Sequence, residues 1–201
     1  MKLSKRIFDL VLASAGLIVL IPLFLIIAFF IKREDKGPIF FVQERIGYKG
    51  KPFKFYKFRS MITGAEKLGL PLTIEGDHRI TKIGNILRRF KLDELPQLFN
   101  VIRGDMSLVG PRPEVPYFVK KYDDKQREVL RLVPGITDPA SILYCDESVL
   151  LKDTEDPEAK YVNIIMPKKI DINLNYAKNA NIVTDFVIIL RTLHRIVGNR
   201  N

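Results

Sequence analysis

From Ile7 to Ile31 the chain reads IFDLVLASAGLIVLIPLFLIIAFFI, an apolar run whose only charge is Asp9. A bilayer core takes about 20 apolar residues of helix, so the run is long enough to enter a membrane. The apolar part of a cleaved signal peptide is shorter, about 7–15 residues, and small residues follow it. This run closes on Phe29, Phe30 and Ile31, which predicts a helix retained in the mature chain. Two features set it apart from a plain spanning helix. Pro22 lies mid-run, where it removes a backbone hydrogen bond and predicts a kink. Lys2, Lys5 and Arg6 precede the run and Lys32, Arg33 and Lys36 follow it, whereas a spanning helix carries more Lys and Arg on its cytoplasmic side. Matched flanks suit a kinked, hairpin-like insertion with both ends on one face; a tilted single pass is the alternative.

After residue 36 the pattern becomes that of a water-exposed domain, which divides the chain into a membrane helix over 1–36 and one domain over 37–201. Ile39–Gln43 and Phe53–Arg59 are rich in β-formers, and Gly47 and Gly50 between them predict a hairpin. In the second strand the aromatic side chains are expected inside, with Lys54, Lys57 and Arg59 in water. Gly64–Asp77, with three glycines and Pro71, reads as a loop. Beyond it the pattern is helical. Thr81 is expected to cap Lys82–Phe90, and Asp93 a helix to about Arg103 that Gly104 ends. Asp123 is expected to cap Lys125–Leu132, Asp156 with Pro157 to open another helix, and Thr184 to cap a last one reaching Val197. That last helix sets Phe186, Val187, Ile189, Leu190 and Leu193 against Arg191, His194 and Arg195. It reads as a core helix, the alternative being an interfacial helix with its apolar side in lipid. The expected fold class is α+β: a kinked re-entrant membrane helix, then a mostly helical domain with a small β-hairpin.

Charge narrows the choice of partner. A formal net charge of +10 calls for something anionic: nucleic acid, phosphate-bearing substrates or acidic lipid head groups. Cys145 is the single cysteine, so the chain has no internal disulfide and suits a reducing compartment. His78 and His194 are the two histidines, far apart in sequence, which argues against zinc and leaves a hard ion on carboxylates and phosphates.

The densest chemistry lies in Leu87–Glu114, LRRFKLDELPQLFNVIRGDMSLVGPRPE. Asp93 and Glu94 are adjacent, and Pro96 is suited to a first helical turn. At that end of a helix dipole both carboxylates are expected ionised, fit for attack on phosphorus or for Mg²⁺. The bland alternative is a helix cap with a dipole-matched neighbour. Arg88, Arg89 and Lys91 crowd in just before the pair. Arg112 sits between Pro111 and Pro113, which restrict the backbone and pre-orient a guanidinium for phosphate, or for the carbonyls of a nearby loop. Lys49–Arg59, KGKPFKFYKFR, alternates bases with aromatics, as single-strand nucleic-acid binders do, although a half-buried strand has the same pattern. VPGITDPA over Val133–Ala140 reads as a rigid turn. No serine–histidine–acid set, P-loop or dinucleotide fingerprint is present.

Taken together, the apolar segment with its central proline, PIFFVQERIGYKGKPFKFYKFRSM, KIGNILRRFKLDELPQLFNVIRGDMSLVGPRP, PGIT and NYAKN resemble the bacterial sugar transferases, the monotopic phosphoglycosyl transferases, in their minimal catalytic form. The resemblance implies transfer of a sugar-1-phosphate from a UDP-sugar to polyprenol (undecaprenyl) phosphate, with release of UMP, through a covalent phosphosugar–aspartate intermediate. It implies Asp93 as nucleophile and Glu94 as its partner, associated with Mg²⁺. Lys57, Arg88 and Arg112 fall on the family's basic phosphate-binding positions, and Pro22 on its membrane-helix break, with Ile21 where a serine is usual. It also implies the bacterial inner membrane with the domain on the cytoplasmic face, a surface-glycan pathway, and no nucleic acid as partner. The chain departs from the family's pattern at Val133, over Asp138–Ser141 and at Asn173, positions expected to bear on the donor's sugar or uridine.

Overall fold

The computed structural model describes residues 2–69, 72–152 and 154–198. The apolar run forms α1, Leu3–Asp35, one helix that continues through Pro22. Proline has no N–H to give the carbonyl of Ile18, but the turns on either side hold the helical path. One face packs on the domain along its length, through Asp9, Ala13, Ile27 and Ile31. The opposite face leaves Ile7, Val11, Ile18, Val19, Leu25 and Phe29 exposed.

A hairpin follows, β1 Phe40–Ile46 and β2 Pro52–Phe58, antiparallel with Phe40 opposite Phe58 and Gln43 opposite Phe55. The strands start and end within a few residues of the expected bounds. Both faces of β2 are covered, because its odd and even positions meet different elements. Phe55 packs with Ala13, Val101 and Met106, and Phe58 with Ile27, Ile31 and Leu87. Of the three bases expected in water only Lys54 is exposed; Arg59 is buried against Asp35, and Lys57 is half-buried.

The loop after β2 includes residues 70 and 71, which lie outside the described residues. Then come α2 Lys82–Arg89, a single 3₁₀ turn Leu92–Glu94, and α3 Gln97–Arg103. Thr81 caps α2 as expected, its Oγ1 accepting from the Gly84 amide at 3.0 Å. Asp93 caps nothing: it lies in the 3₁₀ turn, and Pro96, expected inside the helix, is the residue that precedes it. Gly104 closes α3.

VPGITDPA is more than a turn. Its Gly135–Thr137 forms β4, parallel to β3, Ser107–Val109, in a second two-stranded sheet. The two backbones meet at Gly110 and Gly135 so closely that neither position has room for a side chain. The remaining helices are α4 Pro116–Val119, α5 Asp124–Arg127, α6 Pro139–Leu143, α7 Glu147–Lys152, α8 Pro157–Lys160, α9 Met166–Lys178 and α10 Ile182–Gly198. A π-helical segment, Tyr161–Ile165, joins α8 to α9. Asp123 forms a capping box, and Asp156 accepts from the Ala159 amide at 2.9 Å. Their core gathers Phe118, Tyr122, Val129, Leu151, Tyr161, Ile165, Met166 and Ile170.

The last helix starts two residues before Thr184 and is not a core helix. Asn181 caps it, accepting from the amides of Val183 and Thr184, while the Thr184 hydroxyl accepts from the Asn181 amide. Only Asp185 and Ile188 are buried on it; Val183, Phe186, Leu190, Leu193 and Val197 are exposed. Its apolar face is turned largely outward, away from the core.

Gly135→Ala would set its Cβ 2.1 Å from the Gly110 amide nitrogen and 2.5 Å from the Gly110 carbonyl oxygen. Both are backbone atoms that cannot swing aside, so a loss of about 3 kcal/mol is expected in chemical denaturation.

Candidate active site

Three segments from distant parts of the chain converge on one carboxylate. Lys57 comes from β2, Glu94 from the 3₁₀ turn, and Arg112 from the proline-flanked loop after β3. Lys91 starts the turn in the left-handed region, at φ 54°, and so reverses the chain between α2 and the dyad. Arg112 grips Glu94 with both terminal nitrogens, at 3.0 Å to Oε2 and 2.6 Å to Oε1. Lys57 Nζ donates to the same Oε1 at 3.1 Å. This is bidentate, charge-assisted bonding. Burial alone would push the Glu94 carboxyl up, but Arg112 and Lys57 outweigh it and hold the group well below the usual range. Conversely, burial would depress Arg112, and its contact with Glu94 raises it instead.

Asp93 is one residue away in an opposite environment. It is 3% exposed, and its Oδ1 has no hydrogen-bond partner. Oδ2 lies 3.8 Å from Lys57 Nζ, an ion-pair distance without a hydrogen bond. Burial pushes the Asp93 carboxyl up; Lys57 opposes the shift without cancelling it, and Glu94 reinforces it. Desolvation thus opposes at Asp93 the ionisation that a helix dipole favours, and the short helix begins only beyond it. Lys57 is itself lowered by burial, against the pull of Glu94.

Arg88, at the last turn of α2, donates from Nε to Ser60 Oγ at 2.9 Å. Among the described residues its terminal nitrogens have no partner, and Asp93 opposes the lowering that burial imposes on it. The sequence-predicted Asp93, Glu94, Lys57, Arg88 and Arg112 are thus one cluster, whereas Pro22 belongs to α1. Arg89 and Lys91 are exposed, and the charge of Lys91 favours the ionised forms of Asp93 and Glu94.

Sequence reasoning missed Arg45 and Gln97. Arg45 donates to the Pro113 carbonyl at 3.0 Å and lies 3.6 Å from Glu114, bracing the loop that presents Arg112. Gln97 is fully buried on α3, with neither side-chain polar atom paired. A polar residue on the inward face of a short apolar helix was the available signal, and it is a weak one.

The donor set fits a hard ion that also takes substrate phosphates. Asp93 Oδ1 and Gln97 Oε1 are buried oxygens without partners, while both Glu94 oxygens are held by cations. Among the described residues no cluster of three or more His, Cys, Asp or Glu side chains is placed to hold a metal alone.

Of the departures, Asp138 is structural: it caps α6, accepting from the Ser141 amide at 2.9 Å and from the Ser141 hydroxyl at 2.5 Å. Asn173 is buried with its Oδ1 unpaired, and it lines a cavity of about 20 Å³ with Arg112, Glu114, Tyr122 and Lys169. That volume is enough for one water. Val133 contributes its backbone to the close approach at Gly110.

The model of the bacterial sugar transferase family matches residues 1–199. An Aeromonas hydrophila protein named UDP-N-acetylgalactosamine-undecaprenyl-phosphate N-acetylgalactosaminephosphotransferase is 35% identical over 96% of this chain and 43% of its own length. The UDP-glucose:undecaprenyl-phosphate glucose-1-phosphate transferase of Escherichia coli K12 is 34% identical over 99% of this chain and 41% of its own. The exopolysaccharide production protein ExoY of Sinorhizobium fredii is 32% identical over 98% of this chain and 87% of its own. The chain thus spans less than half the length of the first two, and most of the third.

The two carboxylates should respond oppositely to neutralisation. Asp93, raised by burial, favours the fold below its unfolded pKa and loses that contribution as pH rises through its folded value. Asp93→Asn should therefore raise the thermal midpoint at pH 7.5, the gain vanishing on acidification into the ordinary carboxylate range. Glu94, lowered, contributes above its unfolded pKa and loses this only as pH falls through its folded one. Glu94→Gln should cost about 3–5 kcal/mol at pH 7.5, since it strands Arg112 and Lys57.

Proposed function

The chain belongs to the bacterial sugar transferase family, and from that membership we propose that it transfers a sugar-1-phosphate from a UDP-sugar to polyprenol (undecaprenyl) phosphate and releases UMP. The observation that carries the assignment of roles is the contrast within the dyad. Both Glu94 oxygens are engaged, Oε1 by Arg112 and Lys57 and Oε2 by Arg112 alone, while Asp93 keeps a bare oxygen. Adjacent carboxylates driven apart in this way take different parts in a reaction.

In the proposed reaction an Asp93 oxygen attacks the phosphorus next to the sugar. The bond to the UMP oxygen breaks with its electron pair, leaving a sugar phosphoryl group on the aspartate. A polyprenol phosphate oxygen then attacks the same phosphorus, the carboxylate departs, and a polyprenol diphosphate sugar results. Splitting the transfer lets UMP leave before the bulky lipid arrives. Arg88, with its terminal nitrogens unpaired, binds the donor's diphosphate, and Lys57 and Arg112 neutralise charge around the reacting phosphorus. Mg²⁺, held by Glu94 with donor phosphate oxygens, would add further neutralising charge when bound.

How α1 is fastened supports a reading of the membrane arrangement. Near its start Lys5 donates to the Val109 carbonyl at 3.2 Å and pairs with Asp185, and Arg6 donates to the carbonyls of Val101 and Ile102 at 2.6 and 2.8 Å. Near its end Glu34 and Asp35 bind the same domain. A straight helix of this length reaches about 50 Å, more than a bilayer core of about 30 Å. With both ends tied to one polar body, the two ends of α1 stay on one side of the bilayer, the cytoplasmic face of the inner membrane in this reading, and its outward apolar face meets the lipid. A dip of its middle into the bilayer would need a bend, for which Pro22 is the place, and α10 lies at the head groups with its apolar face down. The acceptor's phosphate is then met at that plane. The relatives' names support a glycan assembled on undecaprenyl phosphate.

Purified enzyme given a panel of UDP-sugars with polyprenol phosphate should release UMP and not UDP, and Asp93→Asn should abolish it. Release of UDP would identify a conventional membrane glycosyltransferase instead.

A further inference from the structure

The end of the membrane helix is wired to the two elements that carry Lys57 and Arg88. Glu34 accepts from the amides of Lys82 and Ile83, at 2.7 Å to Oε1 and 3.3 Å to Oε2. These are the first two amides of α2, which have no partner within their own helix. With Thr81 taking the third, the whole N-terminal turn of α2 is satisfied, and two of its three bonds come from α1. Arg88 lies at the other end of that eight-residue helix.

Asp35, the next residue, pairs with both terminal nitrogens of Arg59, one of them at 2.7 Å. Arg59 also donates to Thr63 Oγ1 at 2.9 Å, and its amide donates to the Ile39 carbonyl at 2.9 Å. It follows Lys57 by two residues and precedes Ser60, whose hydroxyl accepts from Arg88 and whose carbonyl accepts from the Thr81 amide at 3.1 Å. Gly84 lets α2 lie directly on Ser60, since a Cβ there would come within 2.0 Å of the Ser60 carbonyl oxygen. Two consecutive acids of α1 therefore fasten both the strand end that carries Lys57 and the helix that carries Arg88.

We infer that Glu34 and Asp35 are positioning residues: they set Arg88 against Lys57 and couple the seating of α1 in the membrane to the grip on the donor's diphosphate. This rests on the function proposed above for the meaning of Arg88, but the geometry it asserts does not.

The test is a double-mutant cycle on the full chain, read in the donor KM for UMP release and in the calorimetric Kd for inorganic pyrophosphate. Glu34→Ala should raise both about tenfold, the size of a lost helix cap. Added to Arg88→Ala it should change them by less than about twofold, because the cation it positions is already gone. Glu34→Gln, which still offers a carbonyl oxygen, should recover most of the loss. Asp156→Ala is the comparator: it removes an equivalent cap from α8 and should lower the thermal midpoint without moving either constant. Equal effects of Glu34→Ala and Asp156→Ala on the two constants would overturn the inference, as would full additivity with Arg88→Ala. If the unaltered enzyme released no UMP, the proposed function would fail, and the pyrophosphate cycle would still decide this one.

Discussion

The structure depends on one carboxylate. Glu94 accepts three hydrogen bonds from two cations, and those cations arrive on β2 and on the loop after β3. Each of the three groups is expensive to bury alone, and together they satisfy one another. The hairpin, the 3₁₀ turn and the proline-flanked loop are locked in register by that mutual need. What remains over is Asp93, buried by the same packing but left without a hydrogen bond. A group in that condition is costly to the fold, and such costs cluster where chemistry is done.

Much of this was legible in the sequence, for reasons that are local. The hairpin glycines and the caps at Thr81, Asp123 and Asp156 are governed by neighbours within a few positions and form as read, and the apolar run forms its helix without a break at Pro22. The residues of the cluster stood out because charged groups crowd into LRRFKLDE and PRP. What local reasoning could not reach was burial. Lys57 and Arg59 look like the wet side of a strand until both faces of β2 are found covered, by α3 on one side and by α1 with α2 on the other. The burial of Asp93 was out of reach for the same cause: a helix dipole is visible in sequence, and desolvation is not. The pairing of β3 with β4 joins segments some thirty residues apart through two glycines, and VPGITDPA on its own carries no sign of its partner.

The outward apolar faces of α1 and α10 belong to the same reasoning. Both helices touch β3, and the buried Asp185 of α10 holds Lys5 of α1 together with the Tyr176 hydroxyl of α9. Polar bonds thus orient two helices whose outward surfaces are greasy. A protein arranged in this way can sit on lipid while keeping its charged cluster in contact with water-soluble donors.

α1 is synthesised before the rest of this domain, yet its polar contacts belong to segments far along the sequence. Asp9 accepts from the Leu108 amide at 3.2 Å, and Lys5 waits for Asp185. Until Leu108 has been added, at about 5–20 residues per second, that amide cannot meet the aspartate. Maturation is therefore governed by contacts of long sequence separation, which form slowly. For that interval the inner face of α1 waits for partners still to be made, so the order of synthesis, as much as the final packing, decides when it is covered.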